Sequence, residues 1–177
     1  MEVNVTVERL TPWSLALDLA RNTMGKEETG REPSHEWKVR MLMAKHSPIQ
    51  AVFYHIRMDG IPYWVSVDLV RHKVGVDHWV RSQRTDRTGV SRDELPQNAP
   101  VVHDMVANAQ AIMAISRKRL CMCASPETRA AWEAVVEGLR KIGETELADA
   151  CVPECVHQGN RCPELKGCGR CPPAIGT

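Results

Sequence analysis

The residues with the most chemical capacity lie between positions 71 and 87, RHKVGVDHWVRSQRTDR. Arg71, His72, Lys73, Arg81, Arg84 and Arg87 are opposed there only by Asp77 and Asp86. An apolar run, Tyr63 to Val70, leads into them. A guanidinium is a planar fork that matches phosphate or carboxylate and keeps its charge when partly buried. On charge alone the readings rank as a solvated basic surface, a nucleic-acid patch, then a pocket for a phosphorylated small molecule. A second reactive group closes the chain: Cys151, Cys155, Cys162, Cys168 and Cys171, set among glycines and prolines. Such a core-poor segment needs a staple. Zinc through four of these thiols is the first expectation, an iron–sulfur cluster the second and disulfides the third. Only Cys168 and Cys171 form a C-x-x-C pair, and His157 reads as a solvent-facing loop residue.

The elements that must position these residues belong to a chain of 177 residues, enough for one domain with one core. A net charge of +1 excludes strong global attraction to nucleic acid or membrane. No apolar run approaches the roughly 20 residues of a membrane span. The early Glu2 and the alternation after it do not suit a secretory signal, so a cytoplasmic location is expected. Seven cysteines then point to thiols or metal ligands rather than a disulfide framework.

Val3, Val5 and Val7 alternate with polar residues and predict a strand. Thr11-Pro12 reads as N-cap and first residue of a helix with Leu15 and Leu19 on one face. Ser34 caps a helix to about Lys45, with Trp37 and Met41 packing. Ala51 to Met58 predicts a strand ended by an Asp59-Gly60 turn, and Pro62 a helix into Arg71. After Arg84 the chain reads as extended to about Thr88. Pro100 reads as opening one long helix to Leu120, with Val102, Met105, Val106, Ala109, Ile112 and Met113 in helical period. Ser125-Pro126-Glu127 starts a last helix with Trp132, Val135, Val136, Leu139 and Ile142 as its stripe and Gly143 at its end.

The basic stretch resembles the flavin-dependent thymidylate synthases. Their motif opens Arg-His-Arg and closes Ser-x-Arg; Arg71, His72 and Lys73 fit the opening, and Ser82 and Arg84 the close with one residue inserted. Val76, His78 and Trp79 stand at the motif's Ser, Asn and Glu. Ala20-Arg21-Asn22-Thr23 is similar to the family's Ala-Arg-x-Ser. Ser47-Pro48 match a His-x-(Ser/Thr)-Pro-x-Glu-His segment, in which Lys45, Gln50 and Ala51 depart and His46 sits one place off. Ser91 to Pro96 resembles Ala-Arg-x-x-Leu-Pro, and Ala124 to Arg129 resembles Ala-Gln-x-Glu-Ile-Arg. Asn108 and Arg119 keep the family's spacing of eleven residues, with Ala114 in place of a second Asn. Asp68 stands where the family has Gln. The resemblance covers about residues 12 to 135.

The resemblance implies an α+β fold: a small, mostly antiparallel sheet flanked by helices over residues 1–145. The Cys-rich tail, 146–177, is a further expectation from its cysteines, since the family's usual members lack it. It implies FAD held by Thr23, Ser47, Arg71, His72, Lys73 and Asn108. It implies dUMP, or a related pyrimidine nucleotide, held by Ser82, Arg84, Arg92 and Arg119. NADPH and methylene-tetrahydrofolate are the implied co-substrates, and the product is thymidylate. Hydroxymethylation of dUMP, with water quenching the C5-methylene, is an alternative within the family. No nucleophile is assigned; Cys121 and Cys123 read as packing or metal-binding residues. The family shares active sites between subunits of a homotetramer, and the near-absent insertion before Ser91 makes sharing more needed here. Two further readings stand beside the enzyme: a non-catalytic nucleotide- or nucleic-acid-binding module, and a relic of the fold that binds FAD without turnover.

Overall fold

The computed structural model describes residues 3–174. Strand β1 (Asn4–Arg9), helices α1 (Trp13–Asn22) and α2 (His35–Ala44), strand β2 (Phe53–Pro62), helix α3 (Tyr63–Leu69) and strand β3 (Val76–Val80) come first. The one-turn helix α4 (Thr85–Thr88), strand β4 (Pro100–Asn108), helices α5 (Ala109–Arg119), α6 (Pro126–Lys141) and α7 (Thr145–Ala150), and the one-turn helix α8 (Glu154–His157) follow. The strands form one antiparallel sheet in the order β1-β2-β4-β3. The expected α+β class, with helices flanking a small antiparallel sheet, is therefore the observed one.

One sheet face carries the core. Val7, Tyr54, Ile56, Met58, Val101, Met105 and Ala107 meet Trp13, Ala16, Ile112, Trp132, Val135 and Leu139 of the helices. On the opposite face of β2, Phe53, His55 and Arg57 stay half-buried, giving the alternation of a one-sided strand. Leu147, Ala148 and Cys151 join the same core, so the start of the tail is packed into the body. A buried carboxylate fastens it: Glu144 accepts from Trp13 Nε1 at 2.8 Å, Tyr54 Oη at 2.7 Å and Arg9 Nη1 at 2.8 Å.

Several local expectations are corrected. The single helix from Pro100 is a strand to Asn108, then a helix from Ala109. Val101, Val102 and His103 are all buried in this inner strand, so the period of 2 that marks a one-sided strand is lost. Asn108 ends the strand and caps α5, its Oδ1 accepting from Ala111 N at 2.9 Å. Asp59-Gly60 is not a turn but a bulge inside β2, with the register slipping between Asp59 and Ile61 and Gly60 at φ 83°. Ser47–Ala51 is a 3₁₀ turn, so β2 starts later than expected. The run after Arg84 is helical rather than extended, and α3 stops at Leu69. Thr11 does not cap α1; its hydroxyl donates to Ala51 O and accepts from Phe53 N, both at 2.7 Å, while Pro12 takes the cap position. Leu15 and Leu19 share a face, but it is exposed, and Trp13 and Ala16 do the packing. Ser34 and Ser125 cap α2 and α6 as read.

Candidate site around His72 and Arg119

The basic segment leaves α3 at Leu69 and becomes β3 at Val76, so Arg71 to Gly75 form the connection between them. Helix α5 ends beside that connection. Arg119 Nε donates to His72 Nε2 at 3.0 Å, and Arg119 Nη2 donates to the Asp68 carbonyl of α3. The Asp68 carboxylate accepts from Thr128 Oγ1 of α6 at 3.1 Å, and Thr128 is fully buried. Three helices thus fix one guanidinium. Arg71 lies close enough for its charge to depress both Arg119 and His72. Burial holds Arg119 below its ordinary value, partly offset by Asp68. His72 is pushed down to about 4, first by burial and then by the Arg119 cation, so it is neutral near pH 7. Since Arg119 can only donate, His72 Nε2 carries a lone pair and Nδ1 carries the proton.

Two further histidines stand behind it. His78 Nε2 contacts the His72 carbonyl oxygen at 2.8 Å, and His78 Nδ1 contacts His103 Nε2 at 2.9 Å. His103 is fully buried, and burial pushes it down to about 4. Its Nδ1 is the buried side-chain atom without a hydrogen-bond partner among the described residues. Sequence reading missed His103 because its segment was taken as helix; the signal was a His inside a run of buried β-branched residues.

Beyond Gly75 lies a small concavity of about 170 Å³ lined by Gln50, Val74, Gly75, Asn108, Gln110, Ala111 and Ala114. Gly75 sits at φ +71°, and a Cβ there would meet Asn108 Nδ2 at 2.7 Å. Asn108 N donates to Gly75 O at 2.9 Å, holding the connection against the end of β4. Arg71 and Lys73 are exposed, with no acidic partner among the described residues. Thr23 and Ser47 are also exposed; Thr23 Oγ1 donates to Ala20 O at 2.8 Å.

The residues expected to hold a nucleotide form a second grouping. Ser82 and Arg92 line a cavity of about 440 Å³ with Arg81, Gln83, Tyr63, Leu95 and Pro96. Behind it, on the open sheet face, a cavity of about 450 Å³ is lined by Arg57, Trp79, Arg81, Ser82, Arg87 and Asp104. Arg81 and Ser82 belong to both. Trp79 is 58% exposed, and Asp104 binds Arg57 Nη1 at 2.9 Å and His55 Nε2 at 2.8 Å. Arg84 is held by Asp86 through two contacts of 2.9 Å. Within one chain, then, Arg71 gathers with Arg119, and Arg92 with Ser82, as two groups.

Among the described residues no group of three or more His, Cys, Asp or Glu side chains is arranged to hold a metal ion. Cys151 faces Ser116 in the main core, where burial pushes it up to about 12. Cys155 lies against Cys171, and Cys162 packs under Gly167. Cys168 lies near Cys123, which follows α5 and donates to Lys166 O at 3.7 Å. The tail thiols thus lie in separate neighbourhoods, and body cysteines share the tail's surroundings. His157 is half-buried in α8 rather than a free loop residue, with Nε2 at 2.8 Å from Lys45 Nζ.

No family model matches the chain, and no curated protein matches it. Solved structures do. A crystal structure of thymidylate synthase X from Helicobacter pylori with FAD and dUMP superposes with a TM-score of 0.69 at 13% identity, over 85% of this chain and 99% of that one. A second Helicobacter pylori structure of the flavin-dependent enzyme, complexed with FAD and dUMP, gives 0.66 at 15% identity, over 86% and 100%. The UMP/dUMP methylase PolB from Streptomyces cacaoi, bound with 5-Br dUMP, gives 0.65 at 13% identity, over 85% and 96%. The helix-flanked antiparallel sheet described above is the fold of the flavin-dependent thymidylate synthases.

Proposed function

We propose that the chain is a flavin-dependent enzyme acting on dUMP or a closely related pyrimidine nucleotide, transferring a one-carbon unit from methylene-tetrahydrofolate to C5. The observation that carries this reading is the Arg119–His72 hydrogen bond, which brings the end of α5 to the Arg71–Lys73 segment within the shared fold. The donor set suits an anionic dinucleotide. Arg71 and Lys73 supply exposed cations, His72 a neutral N–H, and Asn108 an amide beside an open concavity kept clear by Gly75 and Ala114. Thr23 and Ser47 complete the proposed FAD set from the surface. FAD supplies hydride chemistry when bound, and the chain's own residues bind, orient and hold protons. Ser82 and Arg92, with the neighbouring Arg81, offer a cationic cavity for the nucleotide phosphate. Arg84 joins them on release from Asp86.

NADPH is the proposed reductant and a homotetramer the proposed assembly, in which a neighbouring chain brings the Arg71–Arg119 group to the Arg92–Ser82 group. Incubation with FAD, NADPH, methylene-tetrahydrofolate and dUMP, followed by a mass measurement of the nucleotide, tests the reading. A gain of one methyl group supports thymidylate formation, and a gain of one hydroxymethyl group supports the hydroxymethylating alternative. Unchanged dUMP with flavin bound indicates the relic, and a steep salt dependence of oligonucleotide binding without flavin indicates a nucleic-acid module.

A further inference from the structure

The hydrogen bonds around His72 fix proton positions through three rings, because each partner dictates the next. The His72 carbonyl can only accept, so His78 Nε2 carries a hydrogen. One hydrogen lies between His78 Nδ1 and His103 Nε2, and with His103 Nε2 as its donor His78 Nδ1 is the accepting lone pair. His103 Nδ1 is left as a bare acceptor, which is the orphaned buried atom. Leaving a buried acceptor unpaired costs stability that a purely structural residue would not retain; a Leu or Met at 103 would fill the space without it. The orphan therefore needs a use. It places a donor on His78, and His78 grips the backbone of the one residue whose ring is held by Arg119.

We propose that His78 and His103 are positioning residues of the flavin site: they clamp the His72 carbonyl so that the His72 ring accepts from Arg119 and presents its Nδ1–H to an acceptor atom of the bound flavin. This rests on the reading of the Arg71–Lys73 segment as the FAD site. His72 is restrained at three points: its backbone N–H donates to Leu69 O at 3.1 Å, its ring is held from α5 and its carbonyl from β3, and β4 supports the last through His103. The connection between α3 and β3 otherwise has an exposed Arg71, Lys73 and Val74. Without the His78 contact the His72 backbone keeps only its N–H bond to Leu69 O, and the carbonyl side of the peptide, which sets the ring against Arg119, is released.

The test uses the full chain labelled with ¹⁵N-histidine, its ring spectra, and FAD titrations of wild type, His78→Leu and His78→Gln. Gln places its amide N–H where the imidazole Nε2–H lies, so it keeps the donor to the carbonyl. The wild type is expected to show Nδ1–H for His72 and Nε2–H for His78 and His103. His78→Leu should weaken FAD binding about tenfold or more and give His72 an averaged tautomer, while His78→Gln stays within about threefold of wild type. A folded His78→Leu with an unchanged His72 tautomer and unchanged FAD affinity overturns the proposal. If that variant does not fold, the wild-type spectra decide, and Nε2–H on His72 or Nδ1–H on His78 overturns it. Wild type that takes up no FAD, with the expected tautomers present, instead sinks the flavin reading and removes this role with it.

Discussion

Arg119 Nε and His72 Nε2 stand 3.0 Å apart, joining residues forty-seven positions apart in sequence. The same guanidinium reaches Asp68 O, so its fork spans two acceptors at once. Lys cannot reproduce that geometry. Arg119→Lys is therefore expected to weaken FAD and dUMP binding nearly as much as Arg119→Ala, by roughly tenfold or about 1.4 kcal/mol. Isothermal titration of both variants checks this. Full retention of affinity in Arg119→Lys would mean that only the charge matters.

Gly75 and Asn108 are in close register, with Gly75 at φ +71° and its missing Cβ only 2.7 Å from Asn108 Nδ2. Gly75→Ala therefore brings both backbone strain and a clash, and displaces the side chain that caps α5. A loss of about 2–4 kcal/mol is expected from strain, clash and cap together. Urea unfolding measures it, and Asn108→Gly in the Gly75→Ala background should recover part of the loss by removing the clash.

Glu144 is 4% exposed and accepts from Trp13, Tyr54 and Arg9. Burial, followed by the Glu144 charge, pushes the Tyr54 hydroxyl far above its ordinary value, so it stays a donor. Glu144→Ala leaves the two buried donors of Trp13 and Tyr54 without their acceptor and leaves Arg9 only its 3.6 Å pairing with Glu32. A cost of about 3–5 kcal/mol is expected, lowering the melting temperature by on the order of 10 °C. Calorimetry decides, and Tyr54→Phe should cost less in the Glu144→Ala background than alone.

His103 and His72 are both held down to about 4 from an ordinary 6.5. The native rings stay neutral while the unfolded chain gains protons as pH falls below 6.5. Their contribution is complete above that value and is lost between 6.5 and about 4. For the fully buried His103 alone the span is worth on the order of 3 kcal/mol. Urea midpoints should fall as pH drops from 7.5 to 5; a constant or rising midpoint contradicts the neutral buried ring.

The tail is tested by alkylation of the native chain. Exposed Cys168 is expected to react early, and Cys151 only on unfolding, since burial raises its pKa to about 12. Protection of Cys155, Cys162, Cys168 and Cys171 that a chelator releases would instead reveal a metal clasp.

What the sequence disclosed depended on how local the signal was. Ser34, Ser125 and Gly143 marked helix ends correctly because capping is decided within four residues. The α+β class was legible through the order of motifs. The strand at Pro100–Asn108 was not, because Val101, Val102 and His103 are buried in succession and break the period of 2, and its valines and Met105 also fit a helix. That error hid His103, and with it the support of His72. The Arg71–Arg119 meeting was implied by the family spacing, whereas the pairing of Arg84 with Asp86 follows from the one-turn helix α4 that the sequence did not announce.

The most direct measurement is a titration of the purified chain with FAD, followed by absorption and flavin fluorescence, with and without dUMP. A flavin site at Arg71, His72 and Lys73 predicts stoichiometric uptake that dUMP tightens and that Arg71→Ala weakens. A chain that takes up no FAD at any soluble concentration, in either condition, contradicts it.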